Sequence, residues 1–95
     1  MPMQQRNGGE KSSLLSFPTD FPIKVMGRRD EGFAQTIVAI VLRHASDFDP
    51  ATMEMRPSKA GTYLSLTVTI VARSQEQLDA LYRELSAHPL VLMAL

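Results

Sequence analysis

Residues 63–72 read YLSLTVTIVA, and apolar side chains alternate with more polar ones along most of this stretch. The two sets are Leu64, Leu66, Val68 and Ile70 on one side and Tyr63, Ser65, Thr67 and Thr69 on the other. Successive side chains of a β-strand point to opposite faces of its sheet. The alternation therefore predicts a strand with one buried face and one face closer to solvent.

A strand and a helix are predicted before this stretch. Ile23–Met26 alternates with a period of two, which predicts a short strand that ends at Gly27. Pro18 and Pro22 disfavour a helix at the start of that segment. A helix is predicted after Asp30, a candidate N-cap, because an apolar stripe recurs there at helical spacing. The stripe consists of Phe33, Ile37, Ile40, Val41 and His44.

Another strand is predicted over Ala51–Arg56, where Met53 and Met55 alternate with polar residues. The polar positions indicate an edge strand. We expect four methionines to belong to the core, with an adaptable binding surface as the alternative. They are Met26, Met53, Met55 and Met93. Turn-forming residues at 57–61 predict a hairpin between this strand and the one at 63–72.

A second helix and a last strand are predicted at the end of the chain. Ser74 and Gln77 form a capping-box pattern, and an apolar stripe at helical spacing follows them. The stripe consists of Leu78, Leu81, Tyr82 and Leu85. His88-Pro89 ends this helix. The segment Leu90–Leu95, LVLMAL, is then predicted to form a strand that is apolar on both sides.

The order strand, helix, strand, strand, helix, strand is typical of the ferredoxin-like fold. Right-handed crossovers place both helices on one face of such a sheet. The sequence therefore predicts an α+β two-layer sandwich, in which two helices cover one face of a four-stranded antiparallel sheet. We expect a single domain over residues 13–95, preceded by a polar, disordered tail at residues 1–12.

Composition argues against several classes of function. Ten basic residues balance ten acidic ones, so the chain lacks the basic surplus typical of proteins that bind nucleic acid or anionic membranes. Without cysteine there is no disulfide, thiolate nucleophile or sulfur-ligated metal. His44 and His88 have no partners at metal-binding or catalytic spacing, so we predict no catalytic residue, metal or cofactor. The longest apolar run, residues 37–42, is too short to span a membrane, and a cytoplasmic protein is expected.

The first candidate binding site is Gly27-Arg28-Arg29, at the junction between the first strand and the first helix. Two guanidinium groups beside the free amides of a helix start can hold an anion. The alternative is that both arginines are solvated loop residues, partly neutralised by Asp30 and Glu31.

The predicted uncovered face of the sheet is a second candidate. RNA-recognition domains of this topology stack bases on aromatic side chains of the middle strands, whereas this chain offers only Tyr63 at such positions. Nucleic acid is therefore not the expected partner. Because LVLMAL is apolar on both sides, one of its sides stays uncovered within a single domain. We predict a homo-oligomer that forms through the open sheet face, the last strand, or both.

Several segments, taken in their order along the chain, resemble those of a known family. They are LLSFPTDFPIKVMGR, RHASDFDP, RPSKAGTYLSLTVTI, LYREL and the apolar C-terminus. Together, and in this order, they resemble the YbeD-like family of small bacterial proteins from about Leu14 to Leu95. The resemblance implies a ferredoxin-like fold of the kind found in ACT regulatory domains. It implies no enzyme activity. It also implies a link to lipoate metabolism, because members of the family are often encoded near an octanoyl (lipoyl) transferase.

We therefore expect a non-enzymatic regulatory or protein-interaction module that binds a small effector at an oligomer interface. The expected ligand-binding residues are Lys24, Gly27, Arg28, Arg29 and Tyr63. The alternative is a weak anion- or nucleic-acid-binding protein that uses the basic residues of the first loop and the hairpin. Those residues are Arg28, Arg29, Arg56 and Lys59.

Overall fold

The chain runs strand, helix, strand, strand, helix, strand through residues 15–95, the part that the computed structural model describes. The strands are β1 (Thr19–Arg28), β2 (Glu54–Pro57), β3 (Tyr63–Ala72) and β4 (Val91–Ala94). The helices are α1 (Phe33–His44) and α2 (Gln75–Ala87), and a short 3-10 helix, Pro50–Thr52, precedes β2. The predicted tail at residues 1–12 lies outside the described residues and stays a prediction.

The four strands form one sheet in the order β2-β3-β1-β4, and every neighbouring pair is antiparallel. β1 and β3 occupy the centre and pair along their whole length, from Thr19 opposite Ala72 to Arg28 opposite Tyr63. The short strands β2 and β4 form the two edges. This arrangement confirms the ferredoxin-like sheet and the edge position predicted for the second strand.

Both helices cover the same face of the sheet. Ile23 and Val25 of β1 and Leu66 of β3 are fully buried against helix residues. The helix residues in this core are Phe33, Ile37, Ile40, Val41, Leu78, Leu81 and Leu85. Burial of each large apolar side chain contributes about 1.5–3 kcal/mol, so this layer interface is the main source of stability. No element among residues 15–95 covers the opposite side, which we call the open face.

β1 is longer than the predicted strand, because it continues through Pro22 and Gly27. Lys24 N donates to Leu95 O at the end of β4, so Lys24 directs its backbone groups toward the β4 side of β1. Pro22, two residues earlier, directs its backbone groups to that same side. The nitrogen of Pro22 therefore points past the end of β4, where no ladder hydrogen bond is lost.

Gly27 does not end β1; it lets a helix side chain approach the strand. A Cβ at this residue would lie 2.7 Å from two ring carbons of Phe33 and would overlap the carbonyl oxygen of Leu90. The ring of Phe33, which is fully buried, occupies the space that any other residue would need.

The start of α1 differs from the predicted one. Gly32 is the N-cap, without a side-chain capping bond, whereas Asp30 accepts a hydrogen bond from Gly32 N at 3.0 Å. Phe33 N donates to the Asp30 carbonyl oxygen. Asp30 therefore closes the turn that leads into the helix, and Glu31 lies outside the first helical turn.

The strand predicted at Ala51–Arg56 is shorter and begins later. Asp49 caps the 3-10 helix by accepting from Ala51 N, so the chain becomes extended only at Met53. Met53 is partly buried against the core, as expected, but Met55 is 59% exposed. The core prediction for Met55 was wrong because the helices do not reach the outer edge of β2. It was also wrong for Met93, which is 47% exposed on the face that the helices leave uncovered.

Ser74 is the N-cap of α2, as predicted, and its Oγ accepts from Gln77 N at 3.1 Å. The reciprocal bond differs from a standard capping box, because Gln77 Oε1 accepts from Arg73 N and not from Ser74 N. The two helices are joined near their ends by Glu84 of α2, which pairs with Arg43 and, at 2.7 Å, with His44 Nε2.

Candidate functional site on the open sheet face

The open face is built by alternate residues of all four strands. Strand register sets them in two central rows that cross the sheet. The first row is Glu54, Thr67, Lys24 and Leu95, and the second row is Arg56, Ser65, Met26 and Met93. Each row therefore has a charged residue at the β2 edge, a hydroxyl on β3 and an apolar residue at the β4 edge.

A shallow groove of about 220 Å³ lies between β2, β3 and β1. Its walls are Lys24, Glu54, Met55, Arg56, Ser65 and Thr67. The groove thus combines an ammonium group, a guanidinium group, a carboxylate and two hydroxyls. Such a set of donors and one acceptor can hold a small polar group in a fixed orientation.

A second depression of about 150 Å³ adjoins the first. It is lined by Met26, Arg56, Ser58, Tyr63 and Ser65, so the two share Arg56 and Ser65. Tyr63 is 40% exposed, and Met93, the neighbour of Met26 across the sheet, is 47% exposed. The open face therefore changes from polar to apolar within one continuous surface.

The ion pairs of the described residues lie outside the groove. Within residues 15–95, the ion pairs join Arg43 and His44 to Glu84 and Arg73 to Asp47. None of these described pairs involves Lys24, Glu54 or Arg56. Within residues 15–95, the charges of the groove therefore have no ion-pair partner in the fold.

The structure separates the five predicted ligand-binding residues. Lys24 and Tyr63 lie on the open face, one in each depression. Gly27 lies on the helix-covered face under Phe33, so it cannot contact a ligand on the open face. Arg28, two residues beyond Met26 and opposite Tyr63 at the end of β1, is exposed on the open face as well, and Arg29 follows in the loop.

The alternative basic set is brought to one end of the sheet. Arg29 N donates to Thr62 O at 2.9 Å, which holds the loop after β1 against the β2–β3 hairpin. Gly61, with φ of 79°, forms the turn in that hairpin beside the Arg29 guanidinium. Arg28, Arg29 and Lys59 therefore share one end of the molecule, while Arg56 points into the groove.

Sequence reasoning missed Glu54 as a site residue and placed Ser65 and Thr67 on the open face without a binding role. The signal was the hairpin: extending its pairing from Pro57 opposite Leu64 sets Arg56 opposite Ser65 and Glu54 opposite Thr67. The predicted strand at Ala51–Arg56 hid this register, because it began three residues too early.

Two shifted ionisable groups lie in the helix layer, away from the open face. The Arg43 guanidinium and the His44 imidazole, which hydrogen-bond Glu84, lower the pKa of its carboxyl. Burial raises the pKa of the Tyr82 hydroxyl. Among residues 15–95, no three His, Cys, Asp or Glu side chains converge as metal ligands. None of the described helices is long and apolar enough to cross a bilayer.

Bacterial relatives match nearly the whole chain. The chain is 55% identical over 85 residues to a UPF0250 protein of Bordetella pertussis, covering 90% of this chain and 93% of that protein. It is 52% identical over 85 residues to a UPF0250 protein of Nitrosomonas europaea, covering 98% of that protein. These relatives confirm the resemblance drawn from the sequence.

Solved structures share the fold at low sequence identity. Protein HP0495 from H. pylori superposes with a TM-score of 0.72 and 13% identity, over 98% of both chains. The ACT domain from GTP pyrophosphokinase of Chlorobium tepidum superposes with a TM-score of 0.61 and 17% identity, over 80% of this chain and 84% of that one. The fold is therefore ferredoxin-like and ACT-like.

The match to a family model extends over all the elements described above. The model carries the description "Protein of unknown function (DUF493)" and matches residues 12–95. Together with relatives that are more than half identical, this match shows that the chain belongs to the DUF493 family of bacterial proteins.

Proposed function

We propose that this protein is a non-enzymatic regulatory module that binds a small carboxylate with an apolar chain on its open sheet face, at an interface between copies. The observation that carries the proposal is the groove, in which Lys24 and Arg56 stand beside two hydroxyls and next to an apolar surface. The fold supports a regulatory role, because the family resemblance implies a relation to ACT domains, which bind small ligands between paired subunits.

The net charge of the groove favours a carboxylate as the polar end of the ligand. Two cations, Lys24 and Arg56, and one carboxylate, Glu54, leave one excess positive charge in the groove. One excess charge suits a monoanion better than a polyanion. Ser65 and Thr67 at the floor of the groove offer hydroxyl donors to the same carboxylate.

The apolar side chains next to the groove favour a hydrocarbon chain as the other end of the ligand. Met26 and Tyr63 line the second depression, and Met93 lies beside Met26 on β4. A ligand whose carboxylate meets Arg56 can therefore lay a hydrocarbon chain across these side chains and remove them from water. Octanoate and lipoate have this form, and both agree with the link to lipoate metabolism that the family resemblance implies.

The proposal is tested by nuclear magnetic resonance, with amide spectra of the protein recorded during titration with octanoate and, separately, with lipoate. We expect saturable shifts at Lys24, Ser65 and Thr67 with at least one of the two, and none in α2. Inorganic phosphate should give weaker shifts, because it lacks an apolar chain.

Two variants make the titration specific. Arg56→Gln removes one cation of the groove and should abolish the shifts, whereas Arg83→Gln removes an exposed cation from the helix layer and should leave them unchanged. Absence of saturable shifts with both carboxylates, or equal shifts in Arg56→Gln and the parent, would show that the groove is not this site.

A second candidate function follows from the contact between Arg29 and the hairpin, which gathers Arg28, Arg29 and Lys59 at one end of the sheet. This end offers a weak site for anions or nucleic acid. Binding of a single-stranded RNA oligonucleotide, followed by fluorescence anisotropy, should then weaken steeply as salt rises. Binding that is undetectable at low salt, or that persists unchanged at high salt, would exclude it.

A further inference from the structure

The open face carries a pattern that is complementary to itself. On β2, Glu54 and Arg56 are two residues apart and both are exposed on the open face. On the opposite edge, Met93 and Leu95 occupy the same two rows and are 47% and 64% exposed. Opposite charges thus mark one edge, and apolar side chains mark the other.

A two-fold axis parallel to the rows and midway between them exchanges one row with the other. When two open faces stack about this axis, Glu54 of each copy lies over Arg56 of the other. In the same way, Leu95 lies over Met93 and Thr67 over Ser65. Lys24 lies over Met26, so its aliphatic stem packs while its ammonium group stays at the groove. The contacts are those of a closed, isologous pair.

The other two-fold stacking, about a central axis parallel to the strands, lacks this complementarity. It would set Glu54 over Leu95 and Arg56 over Met93, which removes two charges from water without a partner. Charge complementarity therefore selects one of the two arrangements.

We propose that two copies of this chain pack open face to open face about the axis parallel to the rows, and that their grooves join into one enclosed chamber. The inference rests on the proposed function, since it states how the effector site is completed. Each groove of about 220 Å³ is lined by residues of both rows, so the second copy lies over its opening. The N–H groups of Arg56 that do not meet Glu54 of that copy stay available to the ligand. The carboxylate ligand would then be shielded from water on both sides.

The size of the face fits a reversible dimer. Four strands about 4.8 Å apart, two of them short, present about 450 Å² of sheet per copy. The pair then buries about 900 Å² in total, which is below the roughly 1,200–2,000 Å² of stable interfaces and in the range of weak, transient ones. Stacked sheets rotate by about 30°, and the long side chains at the edges can follow that rotation. We expect dissociation in the micromolar range.

The test uses sedimentation equilibrium of the full chain, without ligand, over a series of micromolar concentrations. Glu54→Arg and Arg56→Glu should each weaken the dimer at least about tenfold, because each places like charges opposite each other. The double variant Glu54→Arg/Arg56→Glu should recover the affinity of the parent, since both pairs re-form with their charges exchanged. Arg83→Glu, on the helix layer, is the matched control and should dimerise like the parent.

Circular dichroism should show that all four variants fold, because the three substituted positions are exposed. A parent that stays monomeric, single variants that dimerise like the parent, or a double variant as weak as the single ones would each overturn the proposed pairing. A monomeric parent that still binds octanoate would overturn the pairing alone. A dimer that responds to the variants as expected but binds neither octanoate nor lipoate would support the pairing and contradict the effector proposal.

Discussion

At the scale of single residues, Gly27 shows how a small side chain fixes the distance between the two layers. Sequence reasoning placed this glycine at a strand end and in a ligand site, because glycine is common at turns. In the structure it stays inside β1, where the absence of Cβ admits the ring of Phe33. A close approach between a strand and the helix that packs on it leaves no periodic pattern in the sequence, so neither the role nor the position could be predicted.

Gly27→Ala should lower the free energy of unfolding by about 1–3 kcal/mol, because the added methyl group overpacks a buried contact. Urea denaturation of the variant and the parent measures the difference. Gly32→Ala is a matched control, since its Cβ would meet only Asp30 Oδ1 at 3.8 Å. We expect a loss of less than about 1 kcal/mol for Gly32→Ala. Equal losses in the two variants would contradict the packing role of Gly27.

At the scale of elements, periodicity predicted the strands and helices whose own residues define them. Tyr63–Ala72 has the bounds that its alternation indicated, and α2 begins beside its Ser74 cap. The errors arise where a neighbouring strand or helix determines whether a residue is tolerated or buried. Pro22 is tolerated because β4 has already ended beside it, and Met55 is exposed because no helix reaches the edge of the sheet. Those causes lie in the tertiary arrangement.

The link between α1 and α2 should give a pH dependence. Arg43 and His44 lower the pKa of Glu84 below its ordinary value of 4.5. A carboxyl whose pKa is lower in the folded state stabilises the fold above the unfolded value, and this contribution is lost as pH falls. Glu84→Gln should therefore be less stable than the parent at pH about 7, and the difference should shrink below pH about 4.5.

Urea denaturation at several pH values measures this difference. Glu31→Gln, which removes an exposed carboxyl from a loop, is the control and should match the parent at each pH. A stability difference for Glu84→Gln that does not change with pH would show that the charge of Glu84 has no part in joining the helices.

At the scale of the whole molecule, one face of the sheet packs against the helices and the other face carries the candidate site. Alternation along β3 predicted correctly that one face supports the helices and that the other remains free. Tyr63 was placed on the free face by the same reasoning. The groove itself was missed, because it depends on the register between β2 and β3, which only the hairpin signals, and Glu54 and Arg56 join it through that pairing.

Leu66→Ala and Thr67→Ala compare the two faces at adjacent residues. Leu66 is fully buried, so its truncation should cost about 2–5 kcal/mol. Thr67 lies on the open face and should change stability by no more than about 0.5 kcal/mol in dilute solution. Thermal denaturation of both variants measures this contrast, and equal damage would contradict the assignment of the faces.

The proline in β1 has a consequence for how copies of this protein can meet. An incoming strand needs an unbroken series of donors and acceptors, and the stretch of β1 beyond β4 lacks the donor at Pro22. Templated growth of cross-β fibrils from that side is therefore disfavoured. The open face can still hold copies together, since the proposed pairing through that face closes at two copies.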